Sequence, residues 1–368
     1  MTGRKYFKLI HILSGGIQLL KLPLNLVILH KVVVKQTYYD EYKRKNYLSR
    51  YLNNLKWLII HNEINYSYNS YGLDVKGFRK SSDFIPYRKV KYLRDYNNQY
   101  NVKNDYNYVS ILRDKMLFSV FFSQYENINV VKNIAYYDDG NLVSSTHQHL
   151  DWNVFLDENT NIVLKKVDGE CGSNIYFLNL SNNVLTINNN VISIAEISDI
   201  LGNSRYVIQK YIVQHKDISR LNPYSVNSIR LITIIKDEKV HYFSAFLRLG
   251  VDKISKVDNR TVGGIGVGIN YDGTLQKYGF TNSKFGQKYD AHPLTQVEFE
   301  GLKIPYWNSV IDMVFNAHEK ISDVKSIGWD VAITENGPLL IEGNDNWEII
   351  GPQDTHGGLK KRFIELMT

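Results

Sequence analysis

The chain has 368 residues, a formal net charge of +7, 43% hydrophobic and 22% charged residues. That is long enough for two or three compact units and too apolar for an intrinsically disordered chain, while the charge spread excludes a membrane-spanning bundle. The basic balance favours anionic partners such as nucleotides, sugar phosphates, uronic acids or an anionic membrane surface, and the single cysteine, Cys171, excludes an intrachain disulfide and a Cys-rich zinc site, as expected of a cytoplasmic protein.

Residues 1–105 are rich in Tyr, Lys and Asn and read as a mainly helical region of short helices and loops. The apolar stretch at 9–34 is interrupted by Lys21, Pro23 and Lys31, so no transmembrane helix is expected. Behind Arg4, Lys5 and Lys8 it suits peripheral contact with the inner face of a membrane, or an arm packed on its own domain or on a second subunit. Basic residues interleaved with tyrosines continue to Arg94, but no nucleic-acid motif accompanies them and no nucleic-acid partner is expected.

From 108 to 122 the residues are apolar all round, which predicts a buried helix. The β-branched run 162–167, the loop Asp168-Gly169-Glu170-Cys171-Gly172-Ser173-Asn174 and the run 175–178 read as strand, glycine loop, strand. A helix is expected at 194–201 and a strand at 206–212. The runs 225–235 and 240–249 form a hairpin around Lys236-Asp237-Glu238-Lys239, and Pro305 opens a helix from Trp307 to about Lys320.

The last signal is a second hairpin, 327–334 and 338–344, around Glu335-Asn336-Gly337. With a three-residue loop in which Gly337 takes positive φ, Thr334 pairs with Pro338 and Asp330 falls opposite Glu342. Opposed residues share a face, and the two-residue period adds Asn344 to it. Two carboxylates so close among apolar neighbours resist ionisation unless a cation lies between them, and hard oxygen donors suit Mg²⁺. Taken alone, the same pair also reads as solvated acids on an outer face. The glycine loop preceded by Lys165 suits backbone N–H groups closing on phosphates beside a neutralising cation, although a lone glycine loop is also an ordinary turn.

The order of these pieces resembles the ATP-grasp superfamily and, within it, the sugar-transfer-associated ATP-grasp proteins of bacterial polysaccharide assembly. The resemblance runs over residues 71–353 and rests on Arg113-Asp114-Lys115, Asp168-Gly169-Glu170-Cys171-Gly172, Asn222-Pro223-Tyr224-Ser225, Gly328-Trp329-Asp330-Val331-Ala332 and Glu342-Gly343-Asn344. It implies an α+β fold of two subdomains gripping ATP, a central one at 106–208 and a C-terminal one at 209–368. It further implies that Lys115 and Lys165 contact phosphates, that Gly169, Glu170, Cys171 and Gly172 cover them, and that Gln209, Lys210, Tyr211 and Ile212 form the hinge beside adenine. Asp217 would hold the ribose, and Arg230 the transferring phosphoryl group. Asp330, Glu342 and Asn344 would bind two Mg²⁺ ions. The sequence departs from many relatives in carrying Gln209-Lys210 where an acid is common and Ser173 where the loop often has a lysine.

The activity implied is an ATP- and Mg²⁺-dependent carboxylate–amine ligase working through an acyl phosphate. Its substrates would be a uronic acid or nucleotide sugar and an amino acid or small amine, for capsule or surface polysaccharide. A kinase acting on a sugar hydroxyl and a nucleotide-binding scaffold are the alternatives. His292 and His215 are candidate bases for the amine, and Asn346, Trp347 and Gln353 candidate walls of the acceptor pocket.

Overall fold

The computed structural model describes residues 21–100, 108–169, 174–253 and 256–368. Two helices come first, α1 (Leu22–Val34) and α2 (Tyr47–His61), followed by α3 (Tyr87–Asp95). The apolar run at 108–122 is two helices, α4 (Val109–Arg113) and α5 (Lys115–Phe122). Asp114 breaks it, because its carboxylate caps α5 by accepting from the Met116 and Leu117 N–H groups. The expected all-round burial fails as well. Phe118 and Phe122 are buried while Leu117 and Val120 face outward, so α5 uses a single face.

Two seven-stranded, wholly antiparallel sheets follow. The first contains β1 (Asn133–Asp138), β2 (Asn141–Val143), β3 (Asn161–Lys166), β4 (Ile175–Ser181), β5 (Val184–Ile187), β6 (Asn190–Val191) and β7 (Tyr206–Lys210), in the order β2-β1-β7-β3-β4-β5-β6. Helices α6 (Trp152–Glu158) and α7 (Ala195–Leu201) contribute Phe155, Leu156, Ile197 and Leu201 to the core on one side of this sheet. After the short helix α8 (Lys216–Ser219), the second sheet contains β8 (Ile229–Lys236), β9 (Lys239–Leu249), β10 (Ile265–Ile269), β11 (Leu275–Thr281), β12 (Lys288–Tyr289), β13 (Ser326–Thr334) and β14 (Gly337–Asn344), in the order β12-β11-β10-β9-β8-β13-β14. Helix α9 (Trp307–Glu319) packs on it, and α10 (Ile350–His356) and α11 (Lys360–Met367) end the chain. The architecture is α+β with a helical N-terminal region, as the sequence indicates.

The β8–β9 hairpin turns through Asp237 and Glu238, both at positive φ (49° and 63°), with Lys236 paired to Lys239. Positive φ at both central residues matches the right-handed twist of the strands. Strand β8 begins at Ile229 rather than at 225, because Ser225, Asn227 and Ser228 direct side chains or N–H groups to Gln214, Asn222 and Asp258 instead of a ladder.

Helices α4 and α5 join the core of the second sheet, where Phe122 lies edge-on to Trp329 with ring centroids 5.8 Å apart. The N-terminal region is tied to this sheet too. Gln353 accepts the Ile85 N–H at 2.8 Å and donates to Ile85 O and Tyr71 Oη, and Asn98 donates to Ser326 O and Asp345 O. The end of the second sheet that carries the last hairpin is therefore braced from both sides.

His318 on α9 is fully buried, its Nδ1 2.6 Å from Thr233 Oγ1 and its Nε2 2.8 Å from Val324 O. Burial pushes its imidazole down to about 4. The unfolded chain binds that proton near pH ~6.5, so between there and about 4 the unfolded state holds more protons. The stability conferred by neutral His318 is present above this window and is lost as pH falls through it, a change of roughly 3 kcal/mol. The thermal midpoint should therefore fall more steeply between pH 7 and 4.5 in the parent than in His318→Gln. Equal slopes would contradict this reading.

Candidate active site

Strand β13 is paired on both sides, and the register places three ionisable residues in one row across the sheet: Glu342 opposite Asp330, and Asp330 opposite Arg230. Asp330 does oppose Glu342, but the hairpin that achieves this differs from expectation. Thr334 pairs with Gly337, not Pro338, so the loop has two residues, and Gly337 takes φ 110°. The register then shifts by one between Val331 and Asp330. Ile341 is the extra residue of this bulge, and it restores the opposition that a regular two-residue hairpin would have lost.

Gly328 pairs with Asn344 at the end of this row. A Cβ there would meet Trp347 Cβ at 2.8 Å and Arg230 Cδ at 3.2 Å. The absent side chain is what allows Arg230 to lie along the sheet. Its guanidinium forks onto Asp330, through Nε to Oδ1 and Nη2 to Oδ2. Arg248 from β9 donates to the same carboxylate, Nη2 to Oδ2 at 2.7 Å, and to Ser228 Oγ. Asp258 stands behind Arg248 at 3.7 Å and accepts the Ser228 N–H at 2.8 Å.

Burial acts against the Asp330 charge, but Arg230 and Arg248 outweigh it and hold the carboxyl at about 2. Glu342 is pushed up, first by burial and then by the charge of Asp330, with Lys115 and Lys165 opposing. The two carboxyls therefore differ in kind: one is a fixed anion between guanidiniums, the other a group whose charge Lys115 and Lys165 offset only in part. Asn344 Nδ2 turns toward Gly328 O (3.3 Å) and Glu342 Oε1 (3.4 Å), which leaves the oxygen end of the amide for a ligand.

Across from this row lies the first sheet. Lys165 stands near the end of β3, and Lys115 at the start of α5 donates from Nζ to Gly169 O at 2.5 Å. The Lys115 N–H also bonds Val167 O, so α5 is fastened to the strand that leads into the glycine loop. Burial lowers the Lys165 ammonium, with Glu342 supporting its charge and Lys115 opposing it. Both lysines line a cavity of about 980 Å³ together with Gly169, Gln209, Lys210, Tyr211, Ile212, Arg230, Asp330, Glu342 and Asn344. Residues drawn from positions 115 to 344 thus meet in one space.

Glu170, Cys171 and Gly172 lie outside the described residues. Asp217 does not reach the cavity; it sits in α8 on an exposed turn capped by His215, whose Nδ1 accepts the Asp217 N–H. Neither candidate histidine lines the cavity: His292 is fully buried with Nε2 2.7 Å from Gly250 O, and His215 faces Glu335. Asn346 and Trp347 do line it, whereas Gln353 is buried in the brace to the N-terminal region.

Sequence reasoning missed Arg248, Asp258, Lys256 and Glu348. Arg248 was within reach, because counting back across the β8–β9 turn sets it beside the residues preceding Arg230. Lys256 sits in a loop with no period to read, above the rings of Phe177 (5.3 Å) and Tyr211 (5.2 Å).

Residues 92–365 match the model of the family described as sugar-transfer associated ATP-grasp. The chain belongs to that family. No curated protein matches it. Among solved structures, this ATP-grasp chain is similar to a D-alanine–D-alanine ligase from Bacillus anthracis at 12% identity and TM-score 0.38, over 70% of this chain and 67% of that one. It is similar to an L-amino acid ligase from Bacillus licheniformis at 11% and 0.35, over 64% and 41%. A third likeness is to an N5-carboxyaminoimidazole synthetase from Staphylococcus aureus complexed with ADP, at 10% and 0.34, over 64% and 44%.

Proposed function

We propose that this chain binds ATP with Mg²⁺ between its two sheets and uses it to join a carboxylate to an amine. The observation that carries the reading is the meeting of Lys115, Lys165 and Gly169 with the Arg230–Asp330–Glu342 row and Asn344 in one cavity. On this reading the units expected at 106–208 and 209–368 would supply most of its two walls. Among the described residues no cluster of three or more His, Cys, Asp or Glu suits a metal, so the cation reading rests on two carboxylates and an amide oxygen. That set fits Mg²⁺, which takes one or two carboxylates and completes its shell with phosphate oxygens and water. Glu342 also fits, as an acid pushed up by burial and by Asp330 against the partial support of Lys115 and Lys165, a balance that a bound cation would tip toward the charged form.

In the reaction, Lys115 and Lys165 would neutralise phosphate oxygens from the side of the first sheet, and Tyr211 and Ile212 would flank the base. Mg²⁺ bound by Asp330, Glu342 and Asn344 would draw charge from the β- and γ-phosphates. Direct attack of an amine on a carboxylate fails because the carboxylate is a poor electrophile. A carboxylate oxygen therefore attacks the γ-phosphorus, the bond to the β-bridging oxygen breaks, and ADP leaves. Arg230 and Arg248 would hold the transferring group as its charge spreads over the equatorial oxygens. The amine then attacks the acyl carbon, loses a proton, and phosphate departs with the oxygen it gained. No protein nucleophile is needed, so Cys171 has no covalent task. By family resemblance, the carboxylate would be that of a uronic acid or nucleotide sugar, and the amine an amino acid or small amine.

The test is a panel of uronic acids and UDP-uronic acids crossed with amino acids in the presence of Mg²⁺-ATP, with products weighed by mass spectrometry. A product one water lighter than its two substrates, with one ADP per product, is expected. ADP accompanied by a phosphorylated sugar would make the protein a kinase instead.

A further inference from the structure

Helices α1 and α2 carry a feature that the nucleotide cavity does not use. Both pack over one small core, with Val32 of α1 and Trp57 of α2 buried beside Tyr71 and Phe84, and His30 Nδ1 lies 2.8 Å from Tyr47 Oη between them. On α1 the residues half a turn away from the buried set are Leu24, Val27, Lys31 and Val34, spaced by three, four and three. On α2 they are Leu48, Leu52, Lys56 and Ile59, spaced by four, four and three. Such spacings define one face of a helix. Each of the six apolar side chains is more than half exposed.

Both stripes turn away from the shared core, and each has a lysine in its interior. Neither helix contains a single Asp or Glu. The connection between them carries Asp40, which is exposed, and Glu41, which is taken up by Lys288 at 2.9 Å. Exposed apolar side chains set beside lysines on two helices that carry no acid match a surface that is apolar beneath and anionic above. Spanning is excluded for these helices: α1 has 13 residues, roughly 20 Å against a hydrocarbon core of ~30 Å, and among the described residues no helix is long and apolar enough to cross a membrane.

We propose that the outer faces of α1 and α2 form a docking surface for an anionic lipid bilayer, with Leu24, Val27, Val34, Leu48, Leu52 and Ile59 entering the headgroup boundary and Lys31 and Lys56 meeting lipid phosphates. The charge complementarity of the two stripes selects a bilayer over a second copy of this chain, whose identical lysines would be brought together by a symmetric contact.

The full chain is mixed with vesicles of phosphatidylcholine and of phosphatidylcholine with phosphatidylglycerol, and the bound fraction is measured by co-sedimentation. Binding to the phosphatidylglycerol vesicles is expected, weakened at least ~10-fold in Leu52→Asp/Ile59→Asp and, through charge alone, in Lys31→Glu/Lys56→Glu. ATP turnover and the thermal midpoint of both variants should match the parent, which separates lost docking from lost folding. Equal binding by parent and variants, no binding to either vesicle, or a parent dimer dispersed by Leu52→Asp/Ile59→Asp would each overturn the proposal.

Discussion

Glu342→Gln is expected to remove turnover by ~10²-fold or more while leaving the nucleotide-free protein at least as heat-stable as the parent. The two effects have one cause. Burial and the adjacent Asp330 push the Glu342 carboxyl up, so its ionised form is disfavoured in the fold. For an acid raised in this way the sign is the reverse of a salt-bridged one: the folded state binds the extra proton, and stability falls as pH rises through the unfolded value. At neutral pH a neutral amide relieves that cost and keeps the shape. The same substitution removes a charged oxygen ligand from the proposed cation site. Added Mg²⁺-ATP should therefore raise the parent's thermal midpoint far more than the variant's, since a ligand stabilises only as strongly as it binds the folded state. A variant that melts lower than the parent, or that keeps full turnover, would contradict this account.

Arg248→Met should behave in the opposite way, losing both stability and activity. Arg248 is buried between Asp330, at 2.7 Å, and Asp258, at 3.7 Å, and these anions raise its pKa further despite the burial that opposes the charge. Removing one member of a buried charged set costs ~3–5 kcal/mol, because the remaining charges keep their desolvation without the attraction. Asp330 retains the fork of Arg230, whereas Asp258 keeps its hydrogen bonds from Ser228 but no ion pair at 4 Å or less among the described residues, so Asp258 bears most of the loss. If Arg248 also steadies the transferring phosphoryl group, kcat should fall ~10²–10³-fold at a temperature where the variant is still folded. A variant destabilised as expected but with parental kcat would reduce Arg248 to a structural role. Arg248→Lys, which keeps the charge but not the fork, should recover stability better than kcat.

Much of the fold was legible because period and turn chemistry carry it. Strands β3 and β4, the hairpin at Asp237-Glu238 and helix α9 follow from such local signals. The site was legible where antiparallel arithmetic applies, as in the opposition of Asp330 and Glu342. Even there the turn and the bulge erred in opposite directions. A two-residue loop removed one position and Ile341 returned it, and nothing in Leu340-Ile341 announces a bulge. Tertiary pairings were out of reach. Asp114 lies within an apolar run that reads as one helix, and only the folded structure shows its carboxylate capping α5. His292 and Gln353 carry polar groups that suggest chemistry, but their partners lie far away in sequence: Gly250 O for His292, and the Ile85 amide and Tyr71 Oη for Gln353. Asp217 follows the hinge closely along the chain, but it sits in α8 and does not line the cavity.

The most direct test of the central claim is to follow oxygen. With the uronic acid labelled with ¹⁸O in its carboxylate, and with Mg²⁺-ATP and the amine present, the account predicts inorganic phosphate carrying one ¹⁸O atom and an amide that retains the other. Release of unlabelled phosphate, or transfer of the γ-phosphoryl to a hydroxyl with both carboxylate oxygens still in the sugar, would show that the carboxylate is not the group this cavity activates.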